Sequence, residues 1–318
     1  MAKVTPQPTG KKAIIKTETV GRYIDPLTDF GFKHIFGTKE YLIDFLNAVL
    51  AIDEKIIDLQ YDNTERPGRS KDDRTTYFDL YCTLETKESI ILEMQYKHQE
   101  FFKDRTLYYV SRLIQEQGED QKGNKKWGYE LKPVFSVNII NFLLVPTDGE
   151  DSAHPVDKYV SYIQLFDRDT LEVFYRKLTF IFLELPYFTK ELNELSSPMD
   201  WWMYVLKNLA TLEYLPDKLK NDLFESLFLK AEIAKLSKKD RKEYDRSLKK
   251  LNDMNVIILD RDRKIADRDS QIAVLSKNVA DKDSQIAVLS KNVADLYREI
   301  AELERQYGVN SSNKSNYN

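Results

Sequence analysis

Two acidic residues carry the chemistry that this sequence suggests. Asp79 interrupts the β-rich run TYFDLYCT (Thr76–Thr83), and Glu93 interrupts SIILEMQYK (Ser89–Lys97). A carboxylate inside an otherwise apolar strand is costly unless it is paired or binds a cation. On a strand, alternate side chains share a face. That places Asp79 with Tyr77 and Tyr81, and Phe78, Leu80 and Cys82 on the other side. In the second run Ile91, Glu93, Gln95 and Lys97 share one face, and Ile90, Leu92, Met94 and Tyr96 the other. The short connection LETKE between the runs suits a hairpin, which would bring the two acids together. Two converging carboxylates suit a hard ion such as Mg²⁺ or Mn²⁺, which also takes waters and phosphate oxygens. Such an ion can activate water and neutralise charge building on a phosphodiester. The plain alternative is that either acid pairs with a buried base such as Arg105 or Lys97, and spacing alone leaves both readings open.

Other chemistries find less support. His34, His98 and His154 are too scattered for a triad or a zinc cluster, and the single cysteine, Cys82, supplies neither a disulfide framework nor a thiolate zinc site. There is no GxxxxGK[ST] phosphate loop. No stretch reaches the roughly 20 apolar residues of a membrane span, and the start of the chain lacks an apolar signal-like run, so the expectation is a cytoplasmic protein. The balance of 48 basic against 52 acidic side chains argues against indiscriminate coating of nucleic acid. It is silent on a local DNA-binding surface.

The elements that must position these residues read as an α/β fold. Residues 1–20 are polar and expected to be disordered. Residues 21–190 alternate short strands with helices, as a mixed central sheet flanked by helices requires. Helices are expected at Glu40–Leu50 and Phe101–Gln117, and strands at Ile56–Tyr61, Val134–Val145, Lys158–Phe166 and Leu178–Leu185. On the second helix Arg105, Tyr109 and Arg112 share a face, with Leu107, Val110, Leu113 and Ile114 toward the core. That basic-aromatic face could touch phosphates, support a metal site, or simply be solvated. Residues 191–250 form a helical segment in which Trp201, Trp202, Tyr204 and Leu206 are expected to pack onto the sheet, with an aromatic cluster for base stacking as the alternative. Residues 308–318 form a disordered tail.

Residues 251–307 repeat in heptads, and DSQIAVLSKNVAD occurs at Asp269–Asp281 and again, 14 residues later, at Asp283–Asp295. Setting position a at Ile272 places Leu251, Ile258, Ile265, Val279, Ile286, Val293, Ile300 and Tyr307 on one seam. Position d holds Met254, Leu275, Leu289, Leu296 and Leu303, interrupted by Arg261, Arg268 and Lys282. β-Branched residues at a with Leu at d favour a parallel two-stranded coiled coil, hence a homodimer. A long amphipathic helix folded back on its own domain is the alternative.

Taken together, DPLTDFGFKHIFG (Asp25–Gly37), FDLYC (Phe78–Cys82), ILEMQ (Ile91–Gln95), RTLYYVSRL (Arg105–Leu113) and KPVFSVNIINF (Lys132–Phe142) resemble the Rpn-type recombination-promoting nuclease and transposase family, within the PD-(D/E)xK superfamily. The resemblance implies a restriction-endonuclease-like α/β core, to which the residue pattern adds the helical segment and the coiled coil. It also implies a metal-dependent DNA endonuclease associated with recombination or mobile elements. By the same resemblance Asp79 and Glu93 match the metal-binding carboxylates, and Met94 the position whose backbone carbonyl completes the metal shell. Gln95 stands where the superfamily has Lys. A lysine charge can stabilise the transition state, whereas Gln can only position water; Lys97 and Lys33 are the candidates to supply the missing charge. Lys33, Arg105 and Arg112 are candidates for nucleic-acid contact. The neutral Gln95 keeps a second reading in play, a catalytically weak nuclease-fold module that binds DNA or protein.

Overall fold

The expected strands carry apolar residues on both faces, which suits the interior of a sheet covered by helices on each side. The computed structural model describes residues 21–50, 52, 54–66, 76–120, 128–144 and 158–307. The expected disordered ends, 1–20 and 308–318, lie outside these residues. In chain order the elements are α1 (Asp29–Phe36), α2 (Lys39–Val49), β1 (Leu59–Tyr61), β2 (Glu65–Arg66), β3 (Thr76–Tyr77), β4 (Leu80–Leu84), β5 (Ser89–Gln95), α3 (Phe102–Asp120), β6 (Val134–Ile140), β7 (Val160–Phe166), β8 (Val173–Glu184), α4 (Pro198–Asn208), α5 (Asp222–Ala231) and α6 (Lys238–Gln306).

A mixed six-stranded sheet runs β1-β4-β5-β6-β8-β7, while β2 and β3 form a separate two-stranded ribbon. Strands β4 and β5 are an antiparallel hairpin, and β5, β6 and β8 are parallel. One face of the sheet buries Leu80, Cys82, Ile90, Leu92, Val137 and Ile181 in a common core with α1, α2, α4 and α5. The other face packs Tyr81, Ile91, Val134 and Leu178 against Val110 and Leu113 of α3. Residues between Leu195 and Tyr244 share the sheet's core. Trp202, fully buried, stacks near Phe36, Phe45 and Phe224 at centroid distances of 5.7, 5.5 and 5.3 Å, and its indole N–H donates to Asp44 at 2.7 Å.

Helix α1 owes its start to the DPLT segment. The Thr28 hydroxyl accepts the Gly31 N–H at 2.9 Å, an N-cap bond, and donates to the Asp25 carbonyl at 2.7 Å. A Cβ on Gly31 would lie 2.0 Å from that carbonyl, so the close approach requires glycine. The Asp25 N–H bonds the Tyr244 hydroxyl and the Phe30 N–H the Ser247 hydroxyl, which ties α1 to the first turns of α6.

Several expectations change, and the strands expected at Ile56–Tyr61 and Val134–Val145 are shorter, at Leu59–Tyr61 and Val134–Ile140. The run Thr76–Thr83 is not one strand: it is broken at Phe78–Asp79 between β3 and β4. The break spoils the alternation, so Phe78 packs with Tyr81 and Tyr109 on the α3 side instead of with Leu80 and Cys82. Leu107 is exposed, because the buried stripe of α3 runs through Phe102, Thr106, Val110 and Leu113. Strand β8 begins at Val173, earlier than its apolar run, since its first residues pair with β7 while half-exposed.

The described chain divides into two compact units, one ending at Lys249 and one beginning at Lys250. The second is the continuation of α6 alone, one helix through the heptads to Gln306. No helix among the described residues is long and apolar enough to cross a membrane.

Because Trp202 knits α1, α2 and α5 together, Trp202→Ala should cost about 3–5 kcal/mol. The loss is expected as a lower urea midpoint at unchanged slope.

Candidate active site

The break in the first acidic run creates the site. Strands β4 and β5 pair with Leu80 opposite Leu92 and Tyr81 opposite Ile91, so the same register brings Asp79 opposite Glu93. The ladder does not continue there. Instead the Asp79 N–H donates to Glu93 Oε1 at 3.1 Å, and the Met94 N–H donates to Asp79 Oδ2 at 2.9 Å. Each carboxylate holds backbone on the other's segment. Asp79 Oδ1 and Glu93 Oε2 have no hydrogen-bond partner among the described residues, and neither is sealed from solvent.

Neither acid forms an ion pair among the described residues, so the pairing with Arg105 or Lys97 weighed from sequence is not what is seen. Glu93 is 8% exposed. Burial first, and the neighbouring Asp79 charge second, push its carboxyl up to about 8; the Asp79 N–H, Arg105 and Lys33 oppose the shift. Burial likewise raises Asp79, against the Met94 N–H and the Lys33 and Arg105 charges and with the help of Asp29. Two like charges withdrawn from water disfavour ionising together.

The two cations acting on the pair come from different layers. Lys33 sits on α1, salt-bridged to Asp29 at 2.8 Å, with both side chains half-exposed or more. Arg105 opens α3. Its guanidinium donates to Gln95 Oε1 at 2.5 Å and to Gln99 Oε1 at 2.7 Å, and lies 5.5 and 5.7 Å from the Phe102 and Tyr109 ring centroids. Gln95 is thus engaged at both ends of its amide, since its Nε2 donates to the Lys97 carbonyl at 2.8 Å. The Lys97 side chain makes no hydrogen bond or ion pair among the described residues, and Arg112 lies two turns further along α3, half-buried.

Two further groups belong here. Tyr109 packs edge-on to Phe78 at 5.4 Å, and its phenol is pushed up by burial and then by the Glu93 charge, with Arg105 opposing. Asn138 of β6 is paired in register with Glu93 and is 1% exposed; its Nδ2 donates to the Ser136 hydroxyl and to the Ser136 and Ile181 carbonyls. Sequence reasoning missed Asn138, although a lone amide in the apolar run VFSVNII is the same kind of signal as Asp79.

The donor set suits a hard divalent cation. It offers one buried and one half-buried carboxylate, each with an open oxygen, and the pair is relieved by added positive charge. Among the described residues no group of three or more His, Cys, Asp or Glu gathers as a ligand cluster. Backbone carbonyl, water and substrate oxygens would therefore have to complete any shell, as Mg²⁺ tolerates.

A sheet-centred α/β unit with an acidic pair at a strand break is the class of protein defined so far. A family model for PD-(D/E)XK nuclease family transposases matches residues 26–260. The chain belongs to that family. Searches of curated proteins and of solved structures return no match.

Glu93 has a titration consequence. Its folded-state value lies above its ordinary 4.5, so the stability it contributes is fully present below about 4.5 and is lost as pH rises through about 8. In EDTA, urea unfolding should show stability falling across this window, at up to about 1.4 kcal/mol per pH unit. Glu93→Gln should flatten that dependence and stabilise the metal-free protein above pH 8.

Proposed function

We propose that this chain is a divalent-metal-dependent DNA endonuclease, with Asp79 and Glu93 holding the ion and the Met94 backbone carbonyl as a further donor. The observation that carries this reading is the reciprocal capping of buried Glu93 and half-buried Asp79, which leaves one oxygen of each open, with no cation paired to either among the described residues. A bound Mg²⁺ or Mn²⁺ supplies the Lewis-acid charge for phosphodiester hydrolysis.

The chain's own residues do the rest. Arg105, fixed by Gln95 and Gln99, presents a delocalised positive charge beside the acids, where negative charge on a phosphodiester would grow. Gln95 thereby acts as a positioning residue, and its second N–H remains available to orient water. Lys33 and Arg112 are read as contacts to the DNA backbone, and Lys97 as a solvent-facing charge at the end of β5. The family membership supports a nuclease or transposase role. DNA as substrate and hydrolysis as the reaction are the finer part of the proposal, as are the restriction-endonuclease-like assignment of the sheet and a cytoplasmic location. The exposed heptad seam of α6 supports reading it as a coiled coil that pairs two copies.

One observation favours a second reading. Gln95 is neutral where the superfamily motif has lysine, which suits a nuclease-fold module that binds without cutting.

Plasmid nicking with Mg²⁺ decides between them. Asp79→Ala and Glu93→Ala should each lower the rate at least about a hundredfold, and Arg105→Ala by about 10²–10³-fold. Circular dichroism and thermal melts should remain those of a folded protein. Wild-type protein that binds DNA but leaves plasmid intact with Mg²⁺ and Mn²⁺ would establish the binding module.

A further inference from the structure

The second unit, α6 beyond Lys250, carries an apolar seam of exposed side chains. Ile272, Leu275, Val279, Ile286, Leu289 and Leu296 are all between 56% and 61% exposed. Within that seam, Arg261, Arg268 and Lys282 occupy d positions, and each is followed at once by an aspartate at e: Asp262, Asp269 and Asp283.

A helix can neutralise a charge only with residues three or four away. None of these six residues has an opposite charge at that distance, and none makes a hydrogen bond or ion pair among the described residues. Elsewhere on the same helix the spacing is used: Lys264 pairs with Asp260 at 2.7 Å and Arg298 with Asp295 at 2.9 Å. The cation-then-anion doublets are therefore left for another molecule.

We infer that the occupant of this seam is a second copy of the chain, parallel and in register, and that each doublet is neutralised across the interface. This deepens the coiled-coil reading given above and rests on it. In a parallel pair a d side chain enters a hole bordered by the partner's d and e residues. Arg261 then meets the partner's Asp262, Arg268 the partner's Asp269, and Lys282 the partner's Asp283, each contact made twice by symmetry.

The same doublets select the register, which the repeated segment alone would leave open. Sliding one copy by 14 residues superposes the two DSQIAVLSKNVAD segments, and their apolar layers match as well as before. The slide sets Arg261 against Leu275, Lys282 against Leu296 and Met254 against Arg268, and replaces the facing aspartates by Ser276 and Tyr297. An antiparallel pair would put every d cation opposite an apolar a residue. Buried charge without a counter-charge is costly, so only the in-register parallel pair satisfies all three basic layers.

The test uses the full chain with single cysteines at d, Leu275→Cys and Leu289→Cys, and the parent with its buried Cys82 as control. Sedimentation of the parent should give a dimer. Under mild oxidation each variant should form its own cross-linked homodimer. Differently tagged Leu275→Cys and Leu289→Cys chains, mixed and annealed, should not cross-link to each other. A mixed disulfide means the 14-residue slide, and a dimer without any disulfide means an antiparallel pair; either overturns the inference. A monomer would instead defeat the coiled-coil reading itself. Asp262→Asn, Asp269→Asn and Asp283→Asn combined should weaken dimerisation at least about tenfold, and an unchanged dissociation constant overturns the cross-interface neutralisation. Arg261→Leu, Arg268→Leu and Lys282→Leu combined should tighten the dimer and allow the mixed disulfide to appear.

Discussion

The candidate site depends on one exchange: at the end of the β4–β5 hairpin, ladder hydrogen bonds give way to carboxylates. Where Asp79 and Glu93 meet, each side chain takes the backbone N–H that a neighbouring carbonyl would otherwise take. This substitution keeps the buried amides satisfied while placing two acids in one poorly hydrated spot. Stability and charge are coupled there. The contacts that secure the hairpin end also hold two like charges together, so the metal-free site is strained electrostatically and any added cation relieves it.

The rest of the molecule controls which cations approach. Arg105 reaches the site from α3 and Lys33 from α1, helices packed in different layers against the sheet. Their placement rests on features far from the acids. The Thr28 cap and the tight contact at Gly31 set the start of α1, and Trp202 with its ring of phenylalanines fixes α1 against α2. Phe78, turned toward α3 by the strand break, packs Tyr109 beside Glu93. Core packing thus sets the electrostatics: a shift of either helix would change the field on the pair without touching it.

Much of this was legible in the sequence for a simple reason. An acid inside an apolar run has few explanations, so Asp79 and Glu93 declared themselves, and the hairpin between them was short enough to read. What was hidden depended on interruption or distance. Strict alternation put Phe78 on the wrong side because the sequence does not mark where the ladder breaks. Helical spacing put Leu107 in the core, since a stripe with Thr106 in it looks less apolar than the alternative. The bond between Gln95 and Arg105 crosses a loop, and the approach of Lys33 depends on the packing of α1, which no local pattern encodes. Asn138 was hidden by parallel register, which pairs β5 with β6 across the whole of α3.

The glutamine at position 95 then looks less like a loss. A lysine there would bring its own flexible ammonium to the acids, a point charge that is strongly hydrated and costly to desolvate. With glutamine the charge is divided from its support. Gln95 provides a rigid acceptor on the strand, and Arg105 brings a planar guanidinium that is further braced by Gln99 and by two aromatic rings. On the nuclease reading, the positive charge opposite a phosphodiester is therefore set by the packing of α3 against the sheet. The identity of one strand residue determines only where that charge is held.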